Sequence, residues 1–79
     1  MTAKINHKAI TDVLVRNGFY QLVQHRTAGW VHKCGMVVYY TSHKGLVCYL
    51  IRYKLDDYEV KTETELTNIL YEYIKKGIL

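Results

Sequence analysis

The chain has 79 residues, 49% of them hydrophobic, with no proline and a net charge of +4. A chain of that length is one domain over residues 1–79 and buries only about 60% of its unfolded surface, while its composition excludes disorder. No apolar run of about 18 residues occurs, so no transmembrane helix is expected, and Met1 to His7 lacks a signal-peptide apolar stretch, which predicts a cytoplasmic protein with no membrane partner.

The first element reads as a helix from Ala3 to Asn17. Ile5, Ala9, Ile10, Val13 and Leu14 recur at helical spacing and make one apolar stripe. Asn17-Gly18 stops it, because glycine takes the left-handed conformation that closes a helix. Three strands follow: Phe19 to Arg26, Trp30 to Ser42, and Leu46 to Leu55, all rich in Val, Ile, Tyr and Phe. The connectors Thr27-Ala28-Gly29 and His43-Lys44-Gly45 both end in glycine, as three-residue hairpin loops prefer. Asp56 to Lys61 reads either as a linker or as a continuation of the third strand. Thr62-Glu63-Thr64-Glu65 reads as a capping box opening a last helix. Its stripe is Leu66, Ile69, Leu70, Tyr73 and Ile74, and Gly77 ends it. The predicted fold is α+β in the order α-β-β-β-α, a three-stranded antiparallel meander with two flanking helices.

Three-residue loops fix a register in which Tyr40 faces Cys48, Val38 faces Leu50 and Met36 faces Arg52. One face then holds Tyr20, Leu22, Val38, Tyr40, Cys48 and Leu50. The other holds Val31, Val37, Tyr39, Tyr49, Ile51 and Tyr53. Both are apolar, so whichever face the helices leave bare is expected to meet a partner. A one-residue slip flips the faces of a strand. In this register Cys34 falls opposite Lys54, roughly 20 Å along the strand from Cys48 at ~3.4 Å per residue, too far for a disulfide.

Charge is divided along the chain. Met1 to Lys54 holds eight Lys/Arg against Asp12 alone, and Leu55 to Leu79 holds six acids against three lysines. Basic side chains among aromatics suit a polyanion. In the register above, Arg26, Trp30, His32, Arg52 and Lys54 share a face and converge at one end of the sheet. Arginine binds phosphate bidentately, lysine as a point charge, and an indole stacks a base. A solvated rim with arginine stems packed over Trp30 is the bland alternative. A second candidate is the aromatic face of Tyr39, Tyr49, Ile51 and Tyr53, which suits core, a protein interface or base stacking.

Catalysis has little support. His7 and His43 are expected to be exposed and idle. His25 and His32 titrate near neutrality, but no nucleophile or paired carboxylate stands beside them. His32, Cys34 and Cys48 are too few for a zinc site and no Cys-x-x-Cys occurs, so no metal or cofactor is expected.

The helix closing at Asn17-Gly18-Phe19, a strand ending Gln24-His25-Arg26, two further strands and a helix resemble HicA-type toxins. By element order the resemblance covers most of the chain, and by residues it covers Asn17 to Arg26. It implies a small basic ribonuclease with a fold like that of double-stranded-RNA-binding domains. Where that family carries its catalytic histidine in Gly-Ser-His, this chain has Thr27-Ala28-Gly29-Trp30, and His32 stands two or three positions later.

The leading expectation is a non-enzymatic binding protein that engages nucleic acid or a nucleic-acid-handling protein through Arg26, Trp30, His32, Arg52 and Lys54. A small regulator or inhibitor from a phage or mobile element fits the size. The alternatives are a homodimeric protein-interaction module using the tyrosine face, and a HicA-like ribonuclease.

Overall fold

The computed structural model describes residues 5–24, 27–43 and 46–79, apart from the side chains of residues 23, 24, 27, 28, 42, 43 and 46. The order is α1 (His7–Arg16), β1 (Tyr20–Gln24), β2 (Thr27–Val31), β3 (Val37–His43), β4 (Leu46–Tyr53), β5 (Asp56–Val60) and α2 (Glu63–Lys75). The strands form one antiparallel meander in the order β1-β2-β3-β4-β5. The α+β class and the two helices agree with the sequence reading. The sheet has five strands where three were expected.

Both helices form where their stop and start signals lie. Asn6 caps α1, its side-chain oxygen accepting from the Ala9 N–H at 3.1 Å. At the other end Gly18 N–H donates to Val15 O and Phe19 N–H to Leu14 O, at 3.1 and 3.0 Å. This pair of bonds needs a left-handed residue, and Gly18 supplies it at φ +86°. The helix was expected from Ala3, which lies outside the described residues, but Ile5 and Asn6 are not helical and α1 begins at His7, because Asn6 caps it there. Thr62 caps α2, its hydroxyl oxygen accepting from Glu65 N–H at 3.1 Å, while Glu65 accepts from Lys61 N–H at 3.3 Å. The same double closure ends α2 at Gly77 and Ile78, which bond back to Ile74 and Tyr73.

Two turns divide the strands differently from the sequence reading. The run Trp30 to Ser42 is not one strand. It breaks at His32, whose N–H donates to Met36 O at 2.9 Å while Gly35 N–H returns to His32 O at 2.8 Å. Gly35 sits at φ +99°, so Lys33-Cys34-Gly35 is the three-residue hairpin loop. Gly29, expected in a loop, lies inside β2 between Leu22 and Tyr39. The second turn is Lys54-Leu55, after which β5 folds back so that Tyr53 pairs with Asp56. Lys54 takes φ +54° without being glycine, and Leu55 at the tip is 100% exposed.

The decisive correction is a register of one residue. His43 pairs with Leu46, so β3 and β4 are joined by two residues and not three. Tyr40 then faces Tyr49, and Val38 faces Ile51. All of β4 is flipped relative to the expected faces. Val38, Tyr49, Ile51 and Val60 now point to the same side. They are buried with Ile10, Val13 and Leu14 of α1 and Leu66, Leu70 and Tyr73 of α2. Phe19 and Met36 close that core at one end of the sheet.

Gly35 has no atom within 4 Å of the place where a Cβ would stand. Gly35→Ala therefore tests backbone strain alone and should cost about 1–2 kcal/mol in urea unfolding. Lys54→Gly should move the other way, by up to about 1 kcal/mol. Equal, near-zero effects at both positions would contradict these two turns.

Tyr73 ties α2 to the β4–β5 hairpin, its hydroxyl donating to Asp56 Oδ2 at 2.7 Å. Burial pushes the phenol far up, helped by the bond to Asp56 and by Tyr58. Above pH ~10 the unfolded chain releases this proton and the folded chain keeps it. Stability is therefore full below pH ~10 and falls above it. Tyr73→Phe should cost about 1–2 kcal/mol at neutral pH and make the alkaline decline shallower in unfolding curves taken between pH 8 and 11.

Candidate functional site

Both helices lie on one face, and among the described residues no helix covers the other face of the sheet. Across it runs the row Leu22, Gly29, Tyr39, Leu50 and Glu59, one residue from each strand. Beside it runs a second row, Tyr20, Val31, Val37, Arg52 and Asp57. Thr41 and Cys48 continue the face beyond the first row. Tyr20 is 56% exposed and Leu22 38%, and Val31, Val37, Tyr39 and Leu50 are half-buried. None of these residues belongs to the helix-side core. The charges on this face gather towards β5: Arg52 and Asp57 pair at 3.7 Å, and Glu59 lies next to them. Cys48 is buried on this face. Its thiol is pushed up by burial and by Glu59, with Lys61 opposing, so it stays protonated and inert.

The basic cluster expected at one end of the sheet does not share a face. Trp30 is on the helix side, paired with Gln21 and Val38 and packed against the core. Arg52 is on the bare side, engaged with Asp57. Lys54 sits in the β4–β5 turn with its ammonium 5.4 Å from the Tyr53 ring. Arg26 lies outside the described residues, and its neighbours Gln24 and Thr27 pair at the end of the sheet away from Arg52. The one-residue register change separates Trp30 from Arg52.

His32 is 6% exposed, with its ring centroid 5.2 Å from that of Phe19. Its Nδ1 accepts from Cys34 N–H at 3.1 Å, so the ring proton sits on Nε2, facing Gly18. A buried imidazole used as a turn acceptor is structural. The tyrosine face is also divided. Tyr49 and Ile51 are buried under the helices and Tyr53 packs edge-on against Tyr73, with centroids 5.5 Å apart. Tyr39 alone is on the bare face.

His7, expected to be idle, is not. Its Nδ1 lies 2.7 Å from the Tyr49 hydroxyl, and its ring meets Tyr40 edge-on at 4.9 Å. Burial and Tyr40 raise the Tyr49 phenol, so the hydroxyl keeps its proton; which of the two partners donates depends on the imidazole tautomer. Spacing gave no sign of this contact, since it joins residues 42 positions apart. Tyr20, Leu22, Val31, Val37 and Leu50 were visible as apolar strand positions. Only the correct register gathers them on one face.

A shallow groove of about 300 Å³ lies between β5 and α2, lined by Tyr58, Asn68, Ile69, Glu72, Tyr73 and Lys76. Tyr73, which lines it, is held protonated by burial and its bond to Asp56. Among the described residues no three His, Cys, Asp or Glu side chains are placed to hold a metal, and no helix is long and apolar enough to cross a membrane.

The chain matches no protein-family model, no curated protein and no solved structure. His32→Ala should lower stability by about 2–3 kcal/mol, through the lost acceptor and the cavity. A variant as stable as the parent would remove the structural role.

Proposed function

We propose that the chain is a non-enzymatic protein–protein interaction module that pairs with a second copy of itself through its sheet. The observation that carries this reading is the apolar face of Tyr20, Leu22, Val31, Val37, Tyr39 and Leu50, four strands wide, on the side of the sheet away from both described helices. Four strands at ~4.8 Å make it about 19 Å wide. A patch of some hundreds of Å² is at the upper end of what monomers leave exposed. It is smaller than the ~800 Å² per partner of a standard interface, so a micromolar dimer is expected.

Nucleic-acid binding loses the convergence that favoured it. Arg52 is engaged with Asp57, Lys8 with Asp12 and Lys75 with Glu72, and Trp30 packs in the core. The two readings differ in their response to salt. Apolar burial is not screened, whereas phosphate contacts weaken steeply as counterions compete.

Sedimentation equilibrium at 10–500 μM, in low and high salt and with an added mixed RNA and DNA ladder, separates them. The expected result is a dimer insensitive to salt and blind to nucleic acid. Leu22→Lys should weaken it at least tenfold, and Lys75→Ala should leave it unchanged. A monomer throughout would overturn the proposal, and a monomer that co-sediments with nucleic acid only in low salt would restore the polyanion reading.

A further inference from the structure

The two edges of the sheet are unlike. β5 carries three acids in five residues, Asp56, Asp57 and Glu59. Two such edges brought together would repel, and charge is a common device for closing an edge. β1, Tyr20-Gln21-Leu22-Val23-Gln24, carries no charge at all. Among the described residues it pairs on one side only, with β2. Its outward backbone groups are a template for another strand, and the exposed Tyr20 and Leu22 bring the apolar face up to this edge.

We infer that two copies join edge to edge, β1 antiparallel to β1 of the second copy, into one ten-stranded sheet with a continuous helix-free face. This rests on the self-association proposed above and places its contact at the edge of the helix-free face, where Tyr20 and Leu22 stand, and not across that face. The second copy is the occupant because the edge complements itself. A two-fold axis through the middle of a five-residue strand sets Leu22 opposite Leu22 of the other copy, with both strands fully overlapped and no like charges in register. The rival arrangement stacks the two bare faces. Stacking would bury Arg52, Asp57 and Glu59 from each copy, and removing charges from water costs more than such pairs return. Edge pairing leaves all three in solvent and adds main-chain hydrogen bonds.

The two arrangements place the strands at different distances. Edge to edge, Leu22 and its counterpart have Cβ atoms ~5 Å apart, and the two β5 strands lie nine strand spacings apart, about 40 Å at ~4.8 Å each. In stacked sheets ~10 Å apart, the two β5 strands come within roughly 25 Å. In a Cys34→Ser background, with the buried Cys48 left in place, Leu22→Cys should form an intermolecular disulfide under mild oxidation. Tyr20→Cys and Gln21→Cys report a shifted register. A spin label on Glu59→Cys should give a distance near 40 Å by double electron–electron resonance.

A cross-link in β1 together with the long distance supports the inference. A dimer with no cross-link at any of the three positions and a distance below about 25 Å overturns it, while self-association stands. If the unaltered protein is a monomer at 500 μM, both fail together.

Discussion

Val38 pairs with Ile51, and most of the molecule is arranged around that pairing. It puts Val38, Tyr40, Tyr49 and Ile51 on the same side, where two amphipathic helices can bury them. Shift β4 by one residue and Cys48, Leu50 and Arg52 would turn beneath the helices. Tyr49 and Ile51 would lose burial worth about 1.5–3 kcal/mol each, and the Arg52 guanidinium would be forced out of water. The register is thus selected by the contrast between neighbours on β4. The two-residue connection between His43 and Leu46 is the local geometry that permits it.

Once the sheet has a buried side, the helices are fixed to it by more than apolar packing. Each is pinned by a tyrosine hydroxyl. Tyr49, on the sheet, hydrogen-bonds His7 at the start of α1, and Tyr73, on α2, donates to Asp56 at the start of β5. In both cases burial raises the phenol, so the hydroxyl keeps its proton. The partners differ: an imidazole nitrogen in one case and a carboxylate in the other. The bonds span 42 and 17 positions and join each helix to a strand, so they set the orientation of the helices on the sheet and not their formation. Formation is local, through Asn6 and Thr62 at the starts and Gly18 and Gly77 at the ends.

That division explains what could be read from the sequence. Helix signals are local, and Asn17-Gly18 marked the end of α1 while the Thr62–Glu65 box and Gly77 marked both ends of α2; the start of α1 was placed too early because the cap at Asn6 was not read. Strand material was equally plain, but its partition was not. Gly35 is surrounded by residues that favour strands, so its turn was hidden within one long run. The Lys54-Leu55 turn was hidden because a lysine takes the left-handed φ and a leucine sits at the tip, where glycine or asparagine is the usual signal. The acids of β5 resembled a linker for a similar reason. The candidate site suffered most, because side-chain faces depend on the parity of each loop. One residue fewer after Ser42 was enough to send Trp30 and Arg52 to opposite faces.

The uneven charge along the chain acquires a different meaning in three dimensions. The acids of the C-terminal third have two structural tasks. Glu63 and Glu65 stand in the first turn of α2, where the positive helix end favours them. Asp56, Asp57 and Glu59 occupy the outermost strand, where like charge discourages pairing. The basic two thirds of the chain supply no such protection to β1. Its five residues are neutral, and Tyr20 and Leu22 are exposed. A division that looked like the signature of a polyanion partner is, along the sheet, a difference between a closed edge and an open one. A small domain has few residues with which to cover a five-stranded sheet, and here its two helices are spent on one face. The open edge and the bare face adjoin at Tyr20 and Leu22, so a single strand-to-strand contact satisfies the one and extends the other.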